Sequence, residues 1–147
     1  MSVYLGSNKV SGSLNTVSGG IKPTVYNVTG DSISVATATN KTIVTLKVPA
    51  GIYLFYGFVN FSSNSTGVRK IYIGTTQDSY ANTRGLAETT SASNNSSTMS
   101  NINTVLNPSA ETTYYLNVFQ NSGSLLTCYG SLRAVRIGDY AEYQSGL

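Results

Sequence analysis

Histidine is absent from this sequence, and that absence removes more chemistry than any other feature. Without it there is no Ser-His-Asp or Cys-His arrangement and no His-ligated metal. Cysteine occurs once, as Cys128 in the apolar stretch 125–129. No internal disulfide can form, and the residue reads as a small buried hydrophobe rather than a nucleophile. Carboxylates are scarce: Asp31, Asp78, Glu88, Glu111, Asp139 and Glu142 are the whole set. None falls in a spacing that marks paired glycosidase carboxylates, and no Asp-rich loop gathers the oxygens that calcium needs. A phosphate cradle is missing too, because Gly19-Gly20 leads into Ile21-Lys22-Pro23 rather than into a helix. The chain is therefore expected to be non-enzymatic, with no catalytic residue, no metal and no cofactor.

Bases are few and scattered. Nine Lys and Arg against six acids leave a net charge of +3, and Arg69-Lys70 is the nearest approach to a cluster. A nucleic-acid surface needs bases gathered on one face, so no nucleic-acid partner is expected. The small positive charge suits approach to an anionic cell wall. No stretch nears 18 apolar residues, so no membrane insertion is expected. The opening residues 1–7 also lack the basic-then-apolar pattern of a secretory signal.

In place of charge the chain carries 14 Asn, 21 Ser and 18 Thr, and only 10% of its residues are charged, against about 25% in ordinary soluble proteins. These polar residues compete with helical backbone bonds and favour turns and strands. With 40% hydrophobic residues and 11 Tyr there is ample material for a core, and 147 residues suit one domain. No 3.6-residue apolar period survives three turns. Strand signals instead recur every 8–12 residues from Pro23 onward, the spacing of a sandwich or barrel.

Residues 1–22 differ. Val3, Tyr4 and Leu5 form a short extended piece, and Gly, Ser and Asn dominate from Gly6 to Gly20. This part reads as an attachment arm, with residues 23–147 as the head domain. Strands are expected at 25–28, 33–37, 43–48, 52–61, 68–73, 99–106, 114–120, 125–129 and 131–137, with 75–97 the least regular part. The longest, Ile52 to Phe61, is apolar on both parities, so one face is expected on the core and the other on a partner or loop. Among the tyrosines, Tyr80 falls outside the strong strands, near Asn82 and Arg84. A ring with a hydroxyl stacks on a sugar and hydrogen-bonds its rim, so Tyr80, Asn82 and Arg84 are the expected saccharide contacts.

Two segments resemble a known group. The run 48–57 (VPAGIYLFYG), followed by Phe61-Ser62-Ser63-Asn64-Ser65-Thr66-Gly67-Val68-Arg69, is similar to phage tail-fibre and baseplate head domains, with their P-A-G-x-Y and F-x-x-N-x-x-G-x-R patterns. The runs 114–124 and 132–137 resemble their final strands, and also those of tumour-necrosis-factor-like and complement-type jelly rolls, which line a threefold axis. Residues 3–12 resemble a short N-terminal element of phage structural proteins. The resemblance implies an all-β jelly-roll sandwich of about ten antiparallel strands, homotrimeric, on the virion surface and engaging host cell-surface glycans. Tyr53, Phe55, Tyr114, Leu116 and Val118 are then expected at the trimer interface. Val3, Tyr4 and Leu5 are expected to bind other virion proteins. There is no long shaft or coiled coil, so a capsid-attached decoration or head fibre with a structural role stands beside the tail-fibre reading. A secreted cytokine-like ligand is the alternative from another class.

Overall fold

The computed structural model describes residues 3–5, 8–10, 24–90 and 96–140, and every regular element among them is a β-strand. Two short pieces, β1 (Val3–Leu5) and β2 (Asn8–Val10), pair antiparallel with each other, Val3 opposite Val10. The other nine are β3 (Val25–Thr29), β4 (Ile33–Val35), β5 (Thr39–Val48), β6 (Ile52–Phe61), β7 (Val68–Gly74), β8 (Thr83–Thr90), β9 (Thr98–Leu106), β10 (Thr112–Gln120) and β11 (Leu126–Gly138). Their order is that of one long hairpin wound onto itself: β3 pairs β11, β5 pairs β10, β6 pairs β9 and β7 pairs β8. Pairing of β11 with β6, and of β10 with β7, joins these ribbons into two antiparallel sheets. The sheets run β5-β10-β7-β8 and β3-β11-β6-β9, with β4 continuing the β3 side of β11. This is the double-sheet jelly roll, and the expected all-β sandwich is the fold the chain adopts.

Side chains alternate across each strand, so every strand sends one parity inward. In β6 the inward set is Tyr53, Phe55, Gly57, Val59 and Phe61, all buried. They meet Leu46 and Val48 of β5, Ile71 and Ile73 of β7, Leu116 and Val118 of β10, and Leu132 and Ala134 of β11 in one core. An edge-to-face aromatic series runs through it: Tyr26–Tyr53, Tyr53–Phe55 and Phe55–Tyr114, with ring centroids 6.0, 6.1 and 4.9 Å apart. This corrects one expectation. Tyr53, Phe55, Tyr114, Leu116 and Val118 are at most 5% exposed and pack between the chain's own two sheets. They cannot meet a neighbouring subunit without opening the sandwich.

Two strands differ from the sequence reading. Residues 126–138 form one continuous strand where two were expected, because Gly130 is not a break. A Cβ there would stand 2.3 Å from the Phe58 carbonyl oxygen, so glycine lets β11 press against β6. Residues 83–90, expected to be irregular, form β8 at the edge of its sheet. Its side chains alternate between half-buried and exposed, which leaves no apolar alternation to read. The arm residues Val3, Tyr4 and Leu5 lie in the β1–β2 ribbon, which forms no backbone ladder with either sandwich sheet.

Candidate functional site

The outward face of the β5-β10-β7-β8 sheet holds the first site, and the β7–β8 connection builds it. Between Leu116 and Asn117 the β10–β5 register shifts: Leu116 faces Val44 and Asn117 faces Thr42, so Ile43 is an extra residue. Next to this bulge the Thr42 amide donates to Asp78 Oδ1 (2.6 Å), and the Asp78 amide donates to Thr42 Oγ1 (2.9 Å). The buried Asn117 amide donates to the carbonyls of Thr76 and Ser79 and accepts from Thr42 Oγ1. The connection, residues 75–82, is thereby fastened across the sheet rather than left to hang from its ends.

This fastening sets Tyr80 edge-on over Tyr72, ring centroids 5.2 Å apart. Tyr72 is fully buried, and its hydroxyl donates to Asn40 Oδ1. Burial, then the nearby Asp78 and Tyr80, pushes the Tyr72 pKa up to about 12, so it keeps its proton and remains a donor. Beside Tyr80 opens a cleft of about 230 Å³ lined by Asn40, Lys70, Tyr80 and Phe119. Three of these form one cross-strand row, since Phe119 stands opposite Asn40 on β5 and Lys70 on β7. Lys70 pairs with Glu88 of β8 at 2.8 Å, and that hydrogen bond and charge raise the lysine pKa. Two rings, an amide and an ion pair around a shallow hollow are the means by which a protein stacks on a pyranose and bonds its hydroxyls.

The three residues expected to act together do not converge. Tyr80, 52% exposed, is in the cleft. Asn82 is a turn residue at φ 56° whose side chain donates to Thr76 Oγ1, bracing the connection. Arg84 lies elsewhere. The β7–β8 register shifts so that Ile73 faces Gly85 and Gly74 faces Thr83, leaving Arg84 without an opposite residue. Its side chain lines a second, more polar cleft of about 430 Å³ with Thr75, Asn107, Pro108, Ser109, Thr112 and Tyr114. Asn40, Lys70 and Phe119 were not legible as a site, because strand pairing alone gathers them. Among the described residues, no three of His, Cys, Asp and Glu come together.

A third feature is the outward face of the β3-β11-β6-β9 sheet. Its rows run Val25–Val135–Leu54–Val105, Asn27–Arg133–Tyr56–Asn103, Thr29–Ser131–Phe58–Asn101 and Tyr129–Asn60–Met99. Val25, Leu54, Tyr56, Met99, Val105 and Tyr129 are all more than 40% exposed. Arg133 is the sole charge in these rows, and its Nε donates to Asn27 Oδ1. The β6 residues available to a partner are therefore Leu54 and Tyr56, of opposite parity to Tyr53 and Phe55.

Strand order and two-sheet layering define a jelly-roll sandwich. Among solved structures, the VP2 subviral particle of infectious bursal disease virus is similar, with a TM-score of 0.54 and 14% identity over 78% of this chain. The icosahedral particle of the same virus (TM-score 0.53, 15% identity, 80% of this chain) and its Gx strain (0.54, 14%, 84%) are similar as well. The chain spans about a third of the length of each, 33%, 32% and 34% respectively. At such identity the likeness is one of fold. No family model matches the sequence, and no curated protein does.

Proposed function

We propose that the chain is a non-catalytic structural module of a virus particle, a phage fibre or capsid-attached head that assembles as a homotrimer. The observation that carries this reading is the outward face of the β3-β11-β6-β9 sheet, which exposes Leu54, Tyr56, Met99 and Val105 around a single charge. Exposed apolar surface of this extent marks an association site, and cyclic closure covers it without leaving an open end. The sandwich likeness to viral capsid structures supports the virion setting. The arm at Val3, Tyr4 and Leu5 is the proposed contact to other virion proteins. Light scattering after size exclusion tests the assembly: a trimer of the 15.6 kDa chain has a mass of about 47 kDa. A stable monomer at micromolar concentration would sink it.

The Tyr80 cleft favours an accompanying role, contact with host cell-surface saccharide. Its row of Asn40, Phe119 and Lys70 sits near Gln120, at the end of β10 away from Thr112. The chain enters and leaves the sandwich at the opposite end, where the Arg136 amide bonds the Thr24 carbonyl. A head mounted by that end presents the cleft outward. Glycan-array binding that disappears in Tyr80→Ala and persists in Arg84→Gln is the expected result. An array without signal would leave a structural role only.

A further inference from the structure

Among the described residues, one charged side chain at the end of the sandwich where the chain enters and leaves, that of Arg84, has no hydrogen-bond or ion-pair partner. The edge strand β8 bulges at Arg84, and a bulge beside a cleft re-aims its extra residue. Arg84 lines the polar cleft with Thr75, Ser109, Thr112 and Tyr114, and among the described residues its one hydrogen bond outside the strand ladders runs through its main-chain carbonyl, which accepts from Thr104 Oγ1. Three of the described acids are already engaged elsewhere. Glu111 is held by Lys47 at 2.5 Å, Asp139 by Arg136 at 2.8 Å, and Asp78 by Thr42. Among the described residues no carboxylate lines the cleft, while Thr75, Ser109, Thr112 and Tyr114 bring hydroxyls to its wall.

We infer that this cleft seats a carboxylate carried by an acidic segment of the protein on which the head is mounted, with Arg84 as the pairing residue. A guanidinium holds a carboxylate with two parallel hydrogen bonds, and Thr75 and Ser109, which line the same cleft, add hydroxyl donors. A protein segment is favoured over a glycan because the cleft shares its end of the sandwich with Thr24 and Asp139, where the chain enters and leaves. The partner's identity rests on the mounted-module reading; the carboxylate site does not.

The test is an NMR titration of the ¹⁵N-labelled full chain with N-acetyl-glutamate α-amide, against the N-acetyl-glutamine amide and against glucuronate. The expected result is saturable movement of the Thr75, Arg84, Ser109 and Thr112 amides by the glutamate compound alone, with a Kd on the order of millimolar. The shifts should weaken as salt rises. Arg84→Gln, on an exposed edge strand, should keep the spectrum of the folded chain and weaken binding at least about tenfold. Equal response to the glutamine amide, or binding unchanged in Arg84→Gln, overturns the site. Tighter binding of glucuronate overturns the protein partner in favour of an acidic glycan. A trimer lost in solution, with the titration intact, would overturn the assembly reading and leave this one standing.

Discussion

The guanidinium of Arg69 is held by a main-chain carbonyl, that of Asn64, which accepts a hydrogen bond from Nη2 at 3.0 Å. Among the described residues no carboxylate meets this arginine although it is fully buried. Nη1 donates to the Thr66 carbonyl at 2.8 Å, and the Asn64 side chain accepts from the Thr66 amide at 2.8 Å. The spacing of Phe61, Asn64, Gly67 and Arg69 thus has a physical meaning. It is a lock that folds the β6–β7 loop around one buried cation, whose pKa burial lowers.

Replacing Arg69 by Met keeps the volume and removes every donor. The carbonyls of Asn64 and Thr66 then lose their partner inside the protein, which costs on the order of 2–3 kcal/mol. Lys is no rescue, since a point charge cannot reach two carbonyls with a planar fork. Urea unfolding of Arg69→Met and Arg69→Lys should show both midpoints well below that of the parent. A parent-like midpoint for either contradicts the lock.

Two glycines with nearly the same positive φ give a cleaner comparison. Gly67 has φ 77° and Gly123 φ 79°, so alanine is strained at both. At Gly67 a Cβ would also stand 2.6 Å from the Asn121 carbonyl oxygen, while at Gly123 it meets nothing within 4 Å. Gly123→Ala should cost about 1 kcal/mol, the left-handed conformation alone. Gly67→Ala should cost more by at least roughly another 1 kcal/mol for the collision. Equal losses in thermal unfolding would mean that the Asn121 contact yields without cost.

How far the sequence carried the fold and the site depends on the kind of signal. Alternation in β6 and β10 is strong enough to place both strands, but Ile52–Phe61 is apolar on both parities, and only the sheet partners decide that Tyr53 turns inward and Tyr56 outward. Tyr53 and Phe55, expected at a subunit interface, therefore lie on the parity that faces the chain's own core. Gly130 carries the same letter as a turn glycine yet sits inside a strand, because its role is a close approach to Phe58. Tyr80 was legible as an aromatic outside the strong strands. Its companions Asn40, Lys70 and Phe119 were not, since they lie far apart in the chain and meet only through register. Arg84 is near Tyr80 in sequence, but a bulge sends it to another cleft.

Alkaline pH should unfold the sandwich from within. Burial pushes the Cys128 thiol from 9.0 up to about 12, and Tyr72 from 10.0 up to about 12. Both folded values lie above the unfolded ones, so their stabilisation is complete below about pH 9 and is lost as pH climbs toward 12. The urea midpoint should fall across that window, and Cys128→Ala should flatten its first part, between about pH 9 and 10. At pH 7 the thiol, 1% exposed, should resist a thiol reagent until denaturant is added. Prompt labelling of the native chain would contradict its burial.

The last prediction separates core from interface on neighbouring residues of β6. Tyr53 is buried in the aromatic series, so Tyr53→Ala removes packing worth about 3–5 kcal/mol and should unfold much of the population. Leu54 and Val105 face outward side by side, 43% and 58% exposed. A lysine at either position is readily solvated in a free chain and should change intrinsic stability by no more than about 0.5 kcal/mol. In a trimer closed through this face, the same lysine is a desolvated, unpaired charge repeated at every contact. Leu54→Lys and Val105→Lys should therefore keep the parent's circular dichroism while light scattering falls to the mass of one chain. A full trimer mass in both variants would place the subunit contact on another surface.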